Sequence, residues 1–207
     1  MADSTTIADA SGLPVTGDQT TPPLPAPFSD QRGTDPFLYE ILSLADQAIV
    51  GGYADGTFRP LAAVNRDAMA AFLYRAAGEP AFTPPATATF ADVPATHPFF
   101  TEIEWLADTG ITTGWSVEDG TEFRPATPVT REAMAAFLYR FGHDGADAPA
   151  CGTGPFADVA AGQTFCGEIA WLADAGISSG WPDDTFRPAL HIERQAMAAF
   201  LVRFLDL

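Results

Sequence analysis

The chain carries one unit three times. The segments "PFSDQRGTDPFLYEILSLADQAIVGGYADGTFRPLAAVNRDAMAAFLYR", "TFADVPATHPFFTEIEWLADTGITTGWSVEDGTEFRPATPVTREAMAAFLYR" and "PFADVAAGQTFCGEIAWLADAGISSGWPDDTFRPALHIERQAMAAFLVR" align over nearly their whole length. Phe28, Phe90 and Phe156 mark equivalent starts, spaced 62 residues (28 to 90) and then 66 residues (90 to 156). Self-similarity at such a period means that each copy is one supersecondary unit, too small to bury its own apolar face.

Each copy reads as helix, loop, helix. In the second, Phe99, Ile103 and Leu106 fall at helical spacing, Pro98 suits the first helical position and Gly110 suits the stop. A Gly-, Asp- and Pro-rich loop follows. Met134, Phe137, Leu138 and Phe141 then recur at i, i+3, i+4 and i+7, the apolar stripe of a second helix. Because no copy can bury that stripe alone, the expected fold is mainly α, with three helix-loop-helix repeats packed as a pseudo-threefold bundle. The boundaries read as repeat one at 28–78, a linker at 79–89, repeat two at 90–141, a linker at 142–155 and repeat three at 156–207. Residues 1–27, ending in "TTPPLPAP", read as a disordered, Pro-rich lead.

Composition narrows the function. A chain of 207 residues with 47% hydrophobic and 18% charged residues is globular, and its net charge of −17 argues against nucleic acid and anionic membrane surfaces as partners. No apolar run is long enough to insert in a membrane, and the start "MADSTTIADASG" lacks the basic and apolar parts of a secretory signal. Either an exported protein without its leader or the tail of a longer one fits this. His97, His143 and His191 have no metal spacing, the acidic loops "YADGTF", "VEDGTEF" and "PDDTF" read as turns, and no nucleophile with a paired base is visible. The expectation is no enzyme, no metal and no cofactor.

Cations are few and placed alike. There is no lysine, and nine of the ten arginines recur as Arg59, Arg66 and Arg75, Arg124, Arg131 and Arg140, and Arg187, Arg194 and Arg203. Arg75, Arg140 and Arg203 close the second helix, where the helix dipole favours a cation. Arg59, Arg124 and Arg187, in "FRP", can pin the loop through an ion pair. Arg66, Arg131 and Arg194 open the second helix, where the dipole disfavours them. They need either an anionic ligand or an internal ion pair with a residue such as Asp108.

These repeats resemble S-layer homology domains in a tandem of three. The likeness rests on "FADV" at Phe90–Val93, "GITTGW", "GTEFRP" and "VTREAMAAFLYR", and covers about 28–204. It implies a three-repeat module with a central bundle of one helix per repeat and grooves between neighbours. Its implied task is non-covalent attachment to a secondary cell-wall polysaccharide with an acidic, pyruvylated saccharide end. The place is extracellular, at the cell wall or cell surface. The family motif Thr-Arg-Ala-Glu departs here to "NRDA", "TREA" and "ERQA", with Ala68, Ala133 and Ala196 at the Glu position. Asn65 and Thr130 can still cap their helices by side-chain oxygen, and Glu193 is a poor cap.

The resemblance assigns the arginines a ligand. A guanidinium of Arg66, Arg131 or Arg194 can bind a carboxylate through two parallel hydrogen bonds. Tyr53, Trp115 and Trp181 stack on a sugar ring or else plug a groove between repeats, and Gly52, Gly114 and Gly180 let backbone amides approach. Trp105 and Trp171 belong to the core. An acidic protein repels an acidic polymer at long range, so binding rests on local contacts. The alternative function is a protein-interaction or self-assembly module that uses the same grooves for surface-layer subunits. Cys151 and Cys166 form a disulfide to the start of a first helix or remain two separate buried thiols.

Overall fold

A computed structural model describes residues 28–206. The 1–27 lead lies outside the described residues. Each repeat supplies two helices: α1 (Leu38–Asp46) and α2 (Arg66–Ala76), α3 (Phe100–Asp108) and α4 (Arg131–Gly142), α5 (Cys166–Asp174) and α6 (Arg194–Leu205). The fold is mainly α, as the helical spacing of the apolar residues predicts. Pro98 is displaced from its expected place, lying in a turn two residues ahead of Phe100, where α3 begins.

The helices pair across repeats. α2 packs on α3, α4 on α5, and α6 returns to α1, so the contacts close in a ring; α4 also touches α6. Equivalent residues fill the core from all three copies: Ile41, Leu44, Met69 and Leu73, Ile103, Leu106, Met134 and Leu138, and Ile169, Leu172, Met197 and Leu201 are fully buried. The backbone ahead of each second helix repeats the cycle. Val64 N–H donates to the Ile192 carbonyl (3.0 Å), Ile192 N–H to Val129 (2.8 Å) and Val129 N–H to Val64 (2.8 Å).

The same joints terminate the helices. A helix start leaves its first N–H groups without partners inside the helix. Arg66 and Asp67 N–H donate to the carbonyls of Thr127 and Pro125, Arg131 and Glu132 to those of Leu190 and Pro188, and Arg194 and Gln195 to those of Ala62 and Pro60. Backbone from the neighbouring repeat therefore does most of the capping. Thr130 Oγ1 accepts from Ala133 N–H at 3.3 Å, but the side chains of Asn65 and Glu193 make no cap hydrogen bond. The expectation for Asn65 is thus corrected: the carbonyls of repeat two already serve its helix.

Repeat two departs from the other two. Its loop runs 12 residues from Gly114 to Pro125, against nine from Gly52 to Pro60 and from Gly180 to Pro188. The extra residues allow an antiparallel hairpin, β1 (Trp115–Val117) with β2 (Gly120–Glu122), in which Trp115 faces Glu122. Before repeat three, Cys151 pairs with Cys166 at the head of α5, their Cα atoms 5.7 Å apart. Closing a loop across their separation of 15 residues contributes about 3 kcal/mol in the chain-entropy picture. Trp105 is buried beside Tyr74, and Trp171, partly buried, meets Tyr139 edge-on at 5.3 Å.

Candidate functional site: the grooves between repeats

The loop before each second helix is fixed by one aspartate. Asp30 accepts from the N–H groups of Phe58 and Arg59 (both 2.7 Å), Asp92 from Phe123 (2.8 Å) and Arg124 (2.7 Å), and Asp158 from Phe186 (2.7 Å) and Arg187 (2.8 Å). These contacts hold the arginines of "FRP" in the left-handed region, at φ of 58°, 59° and 56°. Left-handed backbone disfavours a side-chain-bearing residue, and the two charge-assisted bonds offset that cost.

The carbonyl of each of these phenylalanines is taken by the arginine of another repeat. Arg66 Nε donates to Phe123 O (2.7 Å), Arg131 Nε to Phe186 O (2.7 Å) and Arg194 Nε to Phe58 O (2.8 Å). A second bond differs between joints: Arg66 Nη2 reaches Thr112 Oγ1 (3.2 Å), and Arg194 Nη2 reaches Gly51 O (2.8 Å). All three arginines are buried. The first-turn cation is thus placed by carbonyl oxygens across a joint. Arg66 and Arg194 form no ion pair among the described residues, so Asp108 is not their partner. Burial lowers Arg66 to about 10 and also pushes Arg194 down; both stay cationic at neutral pH.

Aromatic rings surround these cations. The Arg66 guanidinium lies 4.2 Å from the Trp115 ring and 4.5 Å from Phe123, and that of Arg194 lies 5.2 Å from Tyr53 and 4.4 Å from Phe58. Arg131 packs over Phe186 (4.6 Å) and Phe200 (5.4 Å). The "FRP" arginines stack on the loop aromatics of their own repeats: Arg59 on Tyr53 (3.8 Å), Arg124 on Trp115 (4.9 Å) and Arg187 on Trp181 (3.7 Å). Tyr53 and Trp115 therefore each lie near two guanidinium groups contributed by different repeats, with part of each ring still exposed.

The glycines are explained by packing. A Cβ on Gly52, Gly114 or Gly180 would stand 2.6, 2.5 or 2.5 Å from the ring of Phe28, Phe90 or Phe156, and Gly114 and Gly180 also have positive φ. Each glycine lets the first phenylalanine of its repeat slide under the loop.

One groove of about 400 Å³ gathers residues from all three repeats. Arg66 comes from α2, Thr112, Thr113, Gly114 and Trp115 from the loop of repeat two, Thr130, Glu132, Ala133, Ala136, Phe137 and Arg140 from the start and face of α4, and Phe165 from repeat three. Arg66, Gly114 and Trp115 were singled out in the sequence, and the groove brings them together. Arg140, expected to serve its helix end, also lines it, held by Asp147 at 2.7 Å. The sequence reading gave Glu132, Thr112 and Thr113 no binding role. For Glu132 a signal was present, since in "TREA" it adjoins the arginine that drew attention. Its carboxyl is raised above the ordinary carboxylate range by burial, against one hydrogen bond from Gln163.

A family model described as S-layer homology domain matches residues 27–70, 89–135 and 155–198, more than half of the sequence, and the chain belongs to that family. Among curated proteins it is similar to Cell surface glycoprotein 1 of Acetivibrio thermocellus. The two are 27% identical over 168 residues, covering 77% of this chain and 7% of that protein.

Proposed function

We propose that this module anchors a protein non-covalently to the cell wall by holding a secondary cell-wall polysaccharide in its inter-repeat grooves. Membership in the S-layer homology family and likeness to a surface glycoprotein support a place at the cell surface or wall. The observation that carries the finer reading is the groove of about 400 Å³, within the range of small-ligand sites, where a buried guanidinium, threonine hydroxyls and an exposed indole converge. In this reading Arg66, Arg131 and Arg194, each placed at a joint by its Nε bond to a neighbour's carbonyl, hold an acidic group, such as the carboxylate of a pyruvylated sugar. Tyr53, Trp115 and Trp181 offer ring edges, their faces being shared with the "FRP" arginines. The module is a binding device and performs no reaction.

The test is co-sedimentation with purified cell walls before and after their secondary polymers are stripped. The chain is expected to pellet with intact walls and to stay in solution with stripped ones. Equal pelleting with both would overturn the polysaccharide reading. Concentration-dependent assembly in the absence of wall material, without retention on it, would favour self-assembly with surface-layer subunits.

A further inference from the structure

The groove at Arg66 contains an acceptor as well as a cation. Around Glu132, α2 contributes Arg66, α4 itself contributes Arg140, and the segment before α5 contributes the neutral side chains of Gln163 and Phe165. Thr112, Thr113 and Trp115 on the remaining wall carry no charge. Arg140 is engaged by Asp147, and Arg66 by the Phe123 carbonyl and the Thr112 hydroxyl. Neither arginine pairs with Glu132 within 4.0 Å among the described residues. Gln163 donates a side-chain hydrogen bond to it, and that amide is oriented by its own oxygen accepting from Ala160 N–H at 3.2 Å.

A carboxylate has about four acceptor positions, more than the Gln163 amide can fill. Donors that fill them from a ligand gain more than they would in water, because the group is already partly desolvated. Sugars supply such donors as vicinal hydroxyls or an acetamido N–H. We propose that Glu132 is a specificity-determining residue of this groove, accepting hydrogen bonds from a hydroxyl pair or acetamido N–H of the bound saccharide while Arg66 takes an acceptor or anionic group further along the same unit. The inference rests on the wall-polysaccharide reading and adds a two-point requirement: a donor at one end of the groove and an acceptor at the other.

Two-point recognition fixes the sign of a pH effect. Ligand donors favour the ionised carboxylate, so affinity is full above the carboxyl's pKa in the free protein and falls as pH drops through it. Burial has raised that carboxyl, so the loss begins at a higher pH than for an ordinary glutamate. Arg66, at about 10, does not titrate in that window.

The experiment titrates the whole chain with soluble polysaccharide released from purified walls, following the Trp115 indole N–H by NMR so that binding is read in this groove. Wild type is compared with Glu132→Gln and Glu132→Ala, with thermal unfolding of each variant as the check on folding. Loss of a charge-assisted bond should weaken binding about tenfold or more in the alanine variant. A neutral amide accepts more weakly, so the glutamine variant should lose about fivefold and should no longer weaken in acid. Melting points should not fall, since burial opposes the charge being removed. If Trp115 stays unperturbed while the chain binds, or if Glu132→Gln binds as tightly as wild type or tighter, the assignment is wrong, the latter result showing a carboxylate that repels the ligand. If wild type binds no released or wall-bound polysaccharide, it is the wall-anchoring reading that fails.

Discussion

The joint held by Arg66 and the one held by Arg194 do the same mechanical work with different second contacts. In both, Nε meets the carbonyl of an "FRP" phenylalanine on another repeat, at 2.7 Å and 2.8 Å. At the Arg66 joint the next bond goes to the Thr112 hydroxyl. At the Arg194 joint Val50 stands in that place, and the Gly51 carbonyl is used instead. The unchanged bond belongs to assembly. What changes as well is the residue after each helix-opening arginine: Glu132 follows Arg131 on α4 and lines the groove, while Asp67, at the matching place on α2, lies 3.9 Å from His97, and Gln195 on α6 turns to Glu193 at 2.8 Å. One framework thus carries three different side chains at that place.

The largest test of this comparison is to sever it. Cutting the chain within 79–89 separates α2 from α3 and α6 from α1 in covalent terms, and the isolated 28–78 piece should show no cooperative unfolding transition by calorimetry. A stable melt of that piece alone would mean that the joints are decoration on independent domains. Next in size, Arg194→Ala and Arg66→Ala should each lower stability by about 3 kcal/mol, because a buried charged donor is lost while the phenylalanine carbonyl is left without it. The two losses should agree if the shared bond dominates, as read from urea midpoints. A clear difference would shift weight to the unshared contact.

The smallest expected effect lies in repeat one. Gln31 occupies the position of Val93 and Val159, it is buried, and neither its amide nitrogen nor its amide oxygen has a hydrogen-bond partner among the described residues. Gln31→Val should therefore raise stability by about 1–2 kcal/mol, seen as a higher melting temperature. A fall would show that the amide has a role that its surroundings do not display.

Much of this was legible in the sequence because local rules govern it. The apolar spacing of Met134, Phe137 and Leu138 specifies a helix wherever that helix packs, and the repeat period shows that no copy folds alone. The identity of the packing partner was not legible. Three near-identical copies offer each second helix three equivalent first helices, and only connection length and loop geometry choose among them. Asn65 shows the same limit, since a good capping residue goes unused when a neighbouring carbonyl reaches the helix start first. Arg131 drew attention through its clash with the helix dipole, but its Phe186 contact lies 55 positions away, beyond any local pattern. The hairpin in repeat two depends on three more residues of loop, a difference visible on alignment but silent about pairing.

The contact of α6 on α1 closes the three repeats into a ring that no peptide bond completes. Each first helix leans on the second helix of the repeat before it, and repeat three serves as predecessor to repeat one. The cyclic order of the repeats is therefore written into the packed object, but which repeat is translated first is not. A permutation that opens the module between two repeats and links the end of repeat three to the start of repeat one encodes the same helix contacts. Loss or gain of one repeat, by contrast, leaves a ring with the wrong number of members.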